Sequence, residues 1–557
     1  MSRNRIRALA AAVGCVLLSL VPGATPSASA SGPYELIEGT GSTWSQNALN
    51  QWIADVAANG IPVAYGGGGS SKGRSDFGNN TVDFAVTEIP FQGRDPRTGQ
   101  SDSANGRPFA YMPVVAGGTS FMYHIEIGGK LFTGLRLSGE TISKIFTGHI
   151  TNWDDPEITA DNNGFKLPST KIIPVIRSDG SGTTAQFTAW MDNQYPSLWR
   201  PFCQCKGLTS YYPIKDGFVA KDGSVGVAGH IAASYGNGTI GYVEYSYALN
   251  DNYPVAKVLN KAGYYTLPTA YNVAVALTQA QINHDTHSQL YLTQILTGVY
   301  NDRDPRTYPL SSYSYMIVPT GKNDPRMNPA KANTLGDFAY YFLCNGQREA
   351  APLGYSPLPL NLVKAGFAQI ARVPGAASPG HNPTTCNNPT FDPKNPDKNK
   401  LAEIAPLPAP CDKQGAGPCG VALPPSGGGG GGGTGGGGTG SGPGSGVGSG
   451  GGTGSGSGAS GGGGSPTSGS STVPAGSPLP GSGGAPAGAT LPGRSSSTQG
   501  STSTGTVQYY GTPTTMSAYG DSNESTLRRL VIVELLAFIV IPPLLLKMWR
   551  TRSAKRP

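Results

Sequence analysis

Three short stretches of glycine, serine and threonine each stand directly before a run with helical spacing, and the chemistry of this chain concentrates there. The first is GTGSTW, Gly39 to Trp44, followed by Leu49, Trp52, Ile53 and Val56. The second is YGGGGSSKGRSDF, Tyr65 to Phe77, after an extended Ile61 to Tyr65 segment. The third is IRSDGSGTTAQF, Ile176 to Phe187, at the end of an apolar run from Lys171. Helix N-termini present unpaired N–H groups and a partial positive charge, so several aimed at one point make an anion site. Serine and threonine hydroxyls add donors, and glycine lets the backbone approach closely. Arg177 offers one full positive charge on a planar fork that matches a tetrahedral oxyanion. Taken singly, each turn reads as an ordinary capped helix, and spacing alone does not bring the three together.

Other chemistries fit less well. Ser181 lies in DGSGT without an identifiable base, so no enzymatic activity is expected. GGGGSSKGRS fails as a P-loop, because Lys72 follows Ser71 and precedes Gly73. His284 and His287 form an H-x-x-H pair expected to face solvent, and no metal or cofactor is expected.

The elements that must position these turns lie between Tyr34 and about Val373, where short apolar strands alternate with helical segments in an α/β pattern. The motifs there resemble those of the substrate-binding protein of bacterial phosphate ABC transporters. The resemblance runs through GTGSTW, YGGGGSSKG, TVDFAVTEIP (Thr81 to Pro90) and RSDGSGT (Arg177 to Thr183). It continues in IFTGHITNWDDPEI (Ile145 to Ile158) and GTIGYVEYSYA (Gly238 to Ala248). The resemblance implies a two-lobed, type II periplasmic-binding-protein fold over 31–375, its second lobe roughly 125–245, with phosphate held between lobes joined by two crossing strands. It implies phosphate contacts from Thr43, Trp44, Ser70, Arg177, Ser181, Gly182 and Thr183. It also places Glu88 where the family carries an aspartate that accepts a hydrogen bond from protonated phosphate. A permease and its ATPase would be the partners, and the protein a monomer. Two other readings of such a domain are a binder of a different tetrahedral oxyanion and a surface adhesion module that has lost its ligand.

The remaining sequence describes how such a domain is delivered. Residues 1–30 carry Arg3, Arg5 and Arg7, an apolar run and small residues ending in Ala30, the pattern of a secretory signal peptide. Six cysteines follow it, Cys203, Cys205, Cys344, Cys386, Cys411 and Cys419, and in an exported chain they are expected to form disulfides of undetermined pairing. Residues 376–425 read as an irregular Pro- and Cys-rich extension, and 426–525 as a low-complexity tether. Roughly 80 flexible residues would span about 50 Å. Residues 528–549 are apolar enough for a membrane helix, and the basic 550–557 tail then lies in the cytoplasm. The formal charge is +7. The signal and residues 526–557 carry more than all of it, so the region between is slightly acidic and no nucleic-acid surface is expected.

Overall fold

The computed structural model describes residues 33–376, 381–395 and 398–420. The signal, the tether, the membrane helix and the basic tail expected from the sequence lie outside the described residues. Among the described residues no helix is long and apolar enough to cross a membrane.

The chain opens with alternating strands and helices: β1 (Ile37–Gly41), α1 (Gln46–Ala57), β2 (Val63–Gly68), α2 (Ser70–Gly78) and β3 (Phe84–Thr87). Strand β1 pairs in parallel with both β2 and β3, so the helices serve as crossovers. Helix α1 forms because Leu49, Trp52 and Val56 recur on one face, and that face is buried. Strand β4 (Phe109–Tyr123) is then buried almost throughout, which explains why it shows little polar alternation. A second series follows: β5 (Ile173–Arg177), α3 (Gly182–Gln194), β6 (Val219–Lys221), α4 (Gly223–Ala232), β7 (Thr239–Glu244) and α5 (Tyr245–Asn250). Strand β8 (Ser311–Pro319) and helices α6 (Pro329–Leu343) and α7 (Leu360–Ile370) return to the first half.

The strands form one sheet in the order β6-β5-β7-β4-β8-β3-β1-β2. Residues 109–118 of β4 pair antiparallel with β8, and residues 119–123 pair antiparallel with β7. This long strand is therefore shared by both halves and joins them. The register shift opposite Ser314 and Tyr315 falls beside Pro113, which has no N–H to give to the ladder. Lys257–Leu259 pairs in parallel with Arg136–Leu137, so the side that the sequence assigns roughly to 125–245 also receives the chain as far as Thr266.

The cysteines pair as Cys203–Cys205, Cys344–Cys386 and Cys411–Cys419. The described part of the extension lacks long elements but is strapped to the domain. Asn388 Nδ2 and Thr390 Oγ1 both donate to the Leu358 carbonyl, at 2.9 and 2.8 Å. Asp412 pairs with Lys257 at 2.5 Å, and Arg136 donates to the carbonyls of Cys411 and Ala416.

One buried ion pair braces the helix that carries Ser70. Arg107 forms two bonds to Asp324, at 2.7 and 3.0 Å, and two to the carbonyls of Phe77 and Val82, and stacks over the Phe77 ring. Arg107→Ala leaves Asp324 buried without its partner and is expected to cost about 3–5 kcal/mol. A urea midpoint lowered correspondingly would show it; a midpoint within error of the wild type would refute it.

Candidate functional site

Each expected turn sits at the carboxyl end of a strand, where open α/β sheets place their ligands. The GTGSTW turn follows β1, and its Ser42 hydroxyl oxygen accepts from the N–H groups of Trp44 and Ser45 at 3.0 and 3.4 Å. The glycine-rich turn follows β2 and delivers Ser70 as the first residue of α2. Gly69 has φ +91°, and a side chain there would come within 2.3 Å of an Asp179 carboxylate oxygen, so only glycine suits this meeting of the two halves. The third turn follows β5, and Ser181 caps α3 by accepting from Thr184 N at 3.1 Å. That leaves its hydroxyl proton to donate.

The structure brings all eight expected residues together, each buried between the halves of the sheet. Glu88, 1% exposed, lies at the centre of one group. Its Oε2 accepts from Ser70 Oγ at 2.6 Å, and its Oε1 accepts from Ser42 Oγ and, at 3.1 Å, from Ser314 Oγ. Gly182 N–H donates to Ser70 Oγ at 3.2 Å, which draws the start of α3 into the same group. Burial pushes the Glu88 carboxyl above its ordinary range, against the opposing pull of the three hydroxyls and of Arg177. Arg177 centres the second group: its Nη1 donates to Thr183 Oγ1 and Ser224 Oγ, both at 3.3 Å. Thr43 Oγ1 accepts from Ser224 N at 3.1 Å and lies 3.0 Å from Ser224 Oγ. Trp44 offers its backbone at the site, while its indole points toward the hinge strand and donates to Thr119 Oγ1.

Two features differ from the sequence-based expectation. Arg177 is not an unpaired charge, because Nε and Nη2 form a fork on the Asp179 carboxylate, with Nε to Oδ1 at 2.6 Å. A fourth helix N-terminus also takes part: Ser224, on the first turn of α4, touches both Thr43 and Arg177. Its signal was present in the sequence, since Asp222-Gly223-Ser224 repeats the Asp179-Gly180-Ser181 pattern on a strand that pairs in register with β5. Ser314 had no such signal, because an antiparallel strand brings it in from far along the chain. His284 and His287 are exposed, as expected.

The arrangement gathers N–H and O–H groups from both halves around Arg177 and the carboxylates of Glu88 and Asp179. A model of the PBP superfamily domain matches residues 23–345. The chain belongs to the PBP superfamily. Within it, the chain is 32% identical to phosphate-binding protein PstS of Xylella fastidiosa strain Temecula1 over 332 residues, covering 59% of this chain and 83% of that protein. It is 30% identical to the Methanocaldococcus jannaschii protein of the same name over 344 residues, covering 60% and 85%. These matches place it in the family of phosphate-binding proteins. A solved structure described as a high affinity periplasmic phosphate-binding protein bound with phosphate aligns at a TM-score of 0.46 and 19% identity, over 60% of this chain and 93% of that one.

Among the described glycines the closest approach lies at Gly182, where an added Cβ would fall 1.8 Å from Glu88 Oε2 and 2.4 Å from Ser70 Oγ. Gly182→Ala therefore forces the Glu88 carboxylate and the Ser70 hydroxyl out of their present positions at the meeting of the halves. Anion affinity is expected to fall at least a hundredfold, on the order of losing two charge-assisted hydrogen bonds, while the melting temperature of the free protein changes little. Undiminished affinity in this variant would show that the halves need not meet there.

Proposed function

We propose that this chain is an exported binding protein that captures inorganic phosphate outside the cell and hands it to an ABC permease and its ATPase, held at the membrane by its C-terminal segment. The observation that carries this reading is the meeting of four helix N-termini around buried Arg177 and Glu88. Thr43, Ser181 and Thr183 would donate through hydroxyls, while the Ser70 hydroxyl and the Trp44 and Gly182 N–H groups, bonded to Glu88, Ser42 and Ser70 in the anion-free chain, would turn to the anion on binding. Arg177, its fork held by Asp179, would supply Nη1 as a single directed donor. Hydrogen bonds to a charged group contribute about 1.5–3 kcal/mol each, so a handful supports the roughly 8 kcal/mol of micromolar binding after the ordering cost of closure.

Because Asp179 already neutralises Arg177, the pocket holds a dianion mainly by dipoles. That suits selection by protonation state. An ionised Glu88 accepts a hydrogen bond from protonated phosphate, whereas sulfate at neutral pH has no proton to give and meets only repulsion. Glutamate is one methylene longer than the family's aspartate, and in this chain the extra reach brings its carboxylate to the Ser42, Ser70 and Ser314 hydroxyls.

The sign of the pH effect follows from the raised Glu88 pKa. Below it the neutral carboxyl becomes a donor and tolerates sulfate; above it the carboxylate rejects sulfate. Calorimetry of the purified chain is expected to show phosphate binding at pH 7.5 that Arg177→Ala abolishes. Sulfate binding should be absent at pH 7.5 and grow as the pH falls toward the Glu88 pKa, while Glu88→Gln should accept sulfate at both ends of the range. Silence with phosphate in the wild type would sink the phosphate reading and favour the adhesion module. Preference for sulfate or molybdate at pH 7.5 would favour another oxyanion.

If the C-terminal segment anchors the binder, tethering raises its effective concentration at the permease. Deleting residues 527–557 should then lower phosphate uptake by cells severalfold and leave the affinity of the purified protein unchanged. Full uptake supported by the shed protein would argue against the anchor.

A further inference from the structure

The VEYSYA portion of the Gly238 to Ala248 motif supplies no direct contact to the anion site, yet it is placed to govern it. Glu244 ends β7 opposite Thr119 of the shared strand, at the point where that strand passes from one half to the other. It is completely buried. Its Oε2 accepts from Ser246 N at 2.6 Å and so caps α5, while Oε1 has no hydrogen-bond partner among the described residues. The carboxyl lies against the hinge: a Cβ on Gly117 would sit 3.0 Å from Oε1 and 2.7 Å from the Trp44 ring.

From this capped helix, two connections lead to the first anion turn. The Tyr247 hydroxyl donates to the Thr43 carbonyl. Ser246 Oγ accepts from Asn47 Nδ2 of α1 at 2.9 Å and donates at 3.2 Å to the Tyr355 hydroxyl, which in turn donates to the Trp44 carbonyl at 2.7 Å. The carbonyls of both turn residues are thus held by phenols, which fixes the peptide planes and so the direction of the neighbouring N–H groups.

We propose that Glu244, acting through Ser246 and Tyr247, is a positioning residue that orients the Thr43–Trp44 turn when the halves close, so that anion capture is coupled to the state of the hinge carboxyl. The proposal rests on the phosphate reading above and adds a regulatory proton to it. Burial is the main influence on Glu244 and holds its carboxyl well above the ordinary range, against the hydrogen bonds from Ser246. The groups facing it are the backbone N–H of Tyr245 and the phenol of Tyr247 from α5, and the phenols of Tyr308 from the returning chain and of Tyr355; the Tyr355 proton is committed to the Trp44 carbonyl. Arg177 and Glu88 act on Tyr247 from its far side. Opening the hinge hydrates the carboxyl and returns its pKa toward the usual value. Closure therefore keeps or takes up a proton, and binding weakens as the pH rises.

The test uses the full chain with inorganic phosphate as the probe, comparing wild type, Tyr247→Phe and Glu244→Gln by calorimetry, stopped-flow release and thermal melting from pH 5.5 to 9. Loss of one hydrogen bond to the turn predicts roughly tenfold faster release from Tyr247→Phe, with the melting temperature of the free protein unchanged. Glutamine mimics the neutral carboxyl, so the affinity of Glu244→Gln relative to the wild type should grow as the pH rises from 5.5. Comparing the two proteins at each pH cancels the titration of phosphate and of Glu88. Wild-type release from Tyr247→Phe, or a constant affinity ratio between wild type and Glu244→Gln across the range, would overturn the relay. A wild type that binds no phosphate would instead refute the reading on which the relay rests.

Discussion

Taking a carboxylate out of water costs several kcal/mol unless donors replace its hydration, and at Glu88 three hydroxyls do so from three separate elements. Ser42 lies on the turn after β1, Ser70 begins α2, and Ser314 comes from β8. Satisfying one buried charge therefore fixes three elements that sequence separates widely. The Gly182 N–H on Ser70 Oγ then adds the second half of the domain to the same network. The donors that would surround an anion are ordered in advance, so less of the binding energy is lost in arranging them.

The shared strand explains how two halves can present donors to one point. Residues on β4 are bonded to β8 over one stretch and to β7 over the next, with Gly117 and Gly118 at the changeover. Neither glycine has room for a side chain: a Cβ would meet Trp44 at the first and Pro268 at the second. The neighbour at Gly117 is the indole of the GTGSTW turn. That contact links the hinge strand to the turn, which is the setting of the role proposed for Glu244.

Much of this was legible in the sequence because helix starts are local. A cap, a glycine and an apolar stripe lie within a few residues of one another, as in the Ser181 to Phe187 stretch, and their chemistry does not depend on the rest of the fold. The fourth start at Ser224 carried the same local mark and could have been found by comparing the two Asp-Gly-Ser patterns. Ser314 and Tyr355 could not, since their roles come from pairings across hundreds of residues. Burial hid β4 in another way: a strand covered on both faces loses the alternation by which strands are recognised. The extension after position 376 has no periodicity at all, and its order comes from a disulfide to Cys344 and from side chains that satisfy carbonyls such as that of Leu358.

The pairing of Arg177 with Asp179 changes the electrostatic logic of the pocket. An unpaired guanidinium would attract any anion of sufficient charge and would favour the more fully ionised one. With Asp179 bound to two of its nitrogens, the cation is largely cancelled, and Nη1 remains as a directed donor rather than a field source. Attraction must then come from N–H and O–H dipoles, whose energy depends on geometry and falls quickly when an oxygen is misplaced. A site of that kind rewards shape and protonation more than net charge. This is consistent with the slightly negative formal charge of residues 31–525 and with the proposed role of Glu88 as the discriminating element.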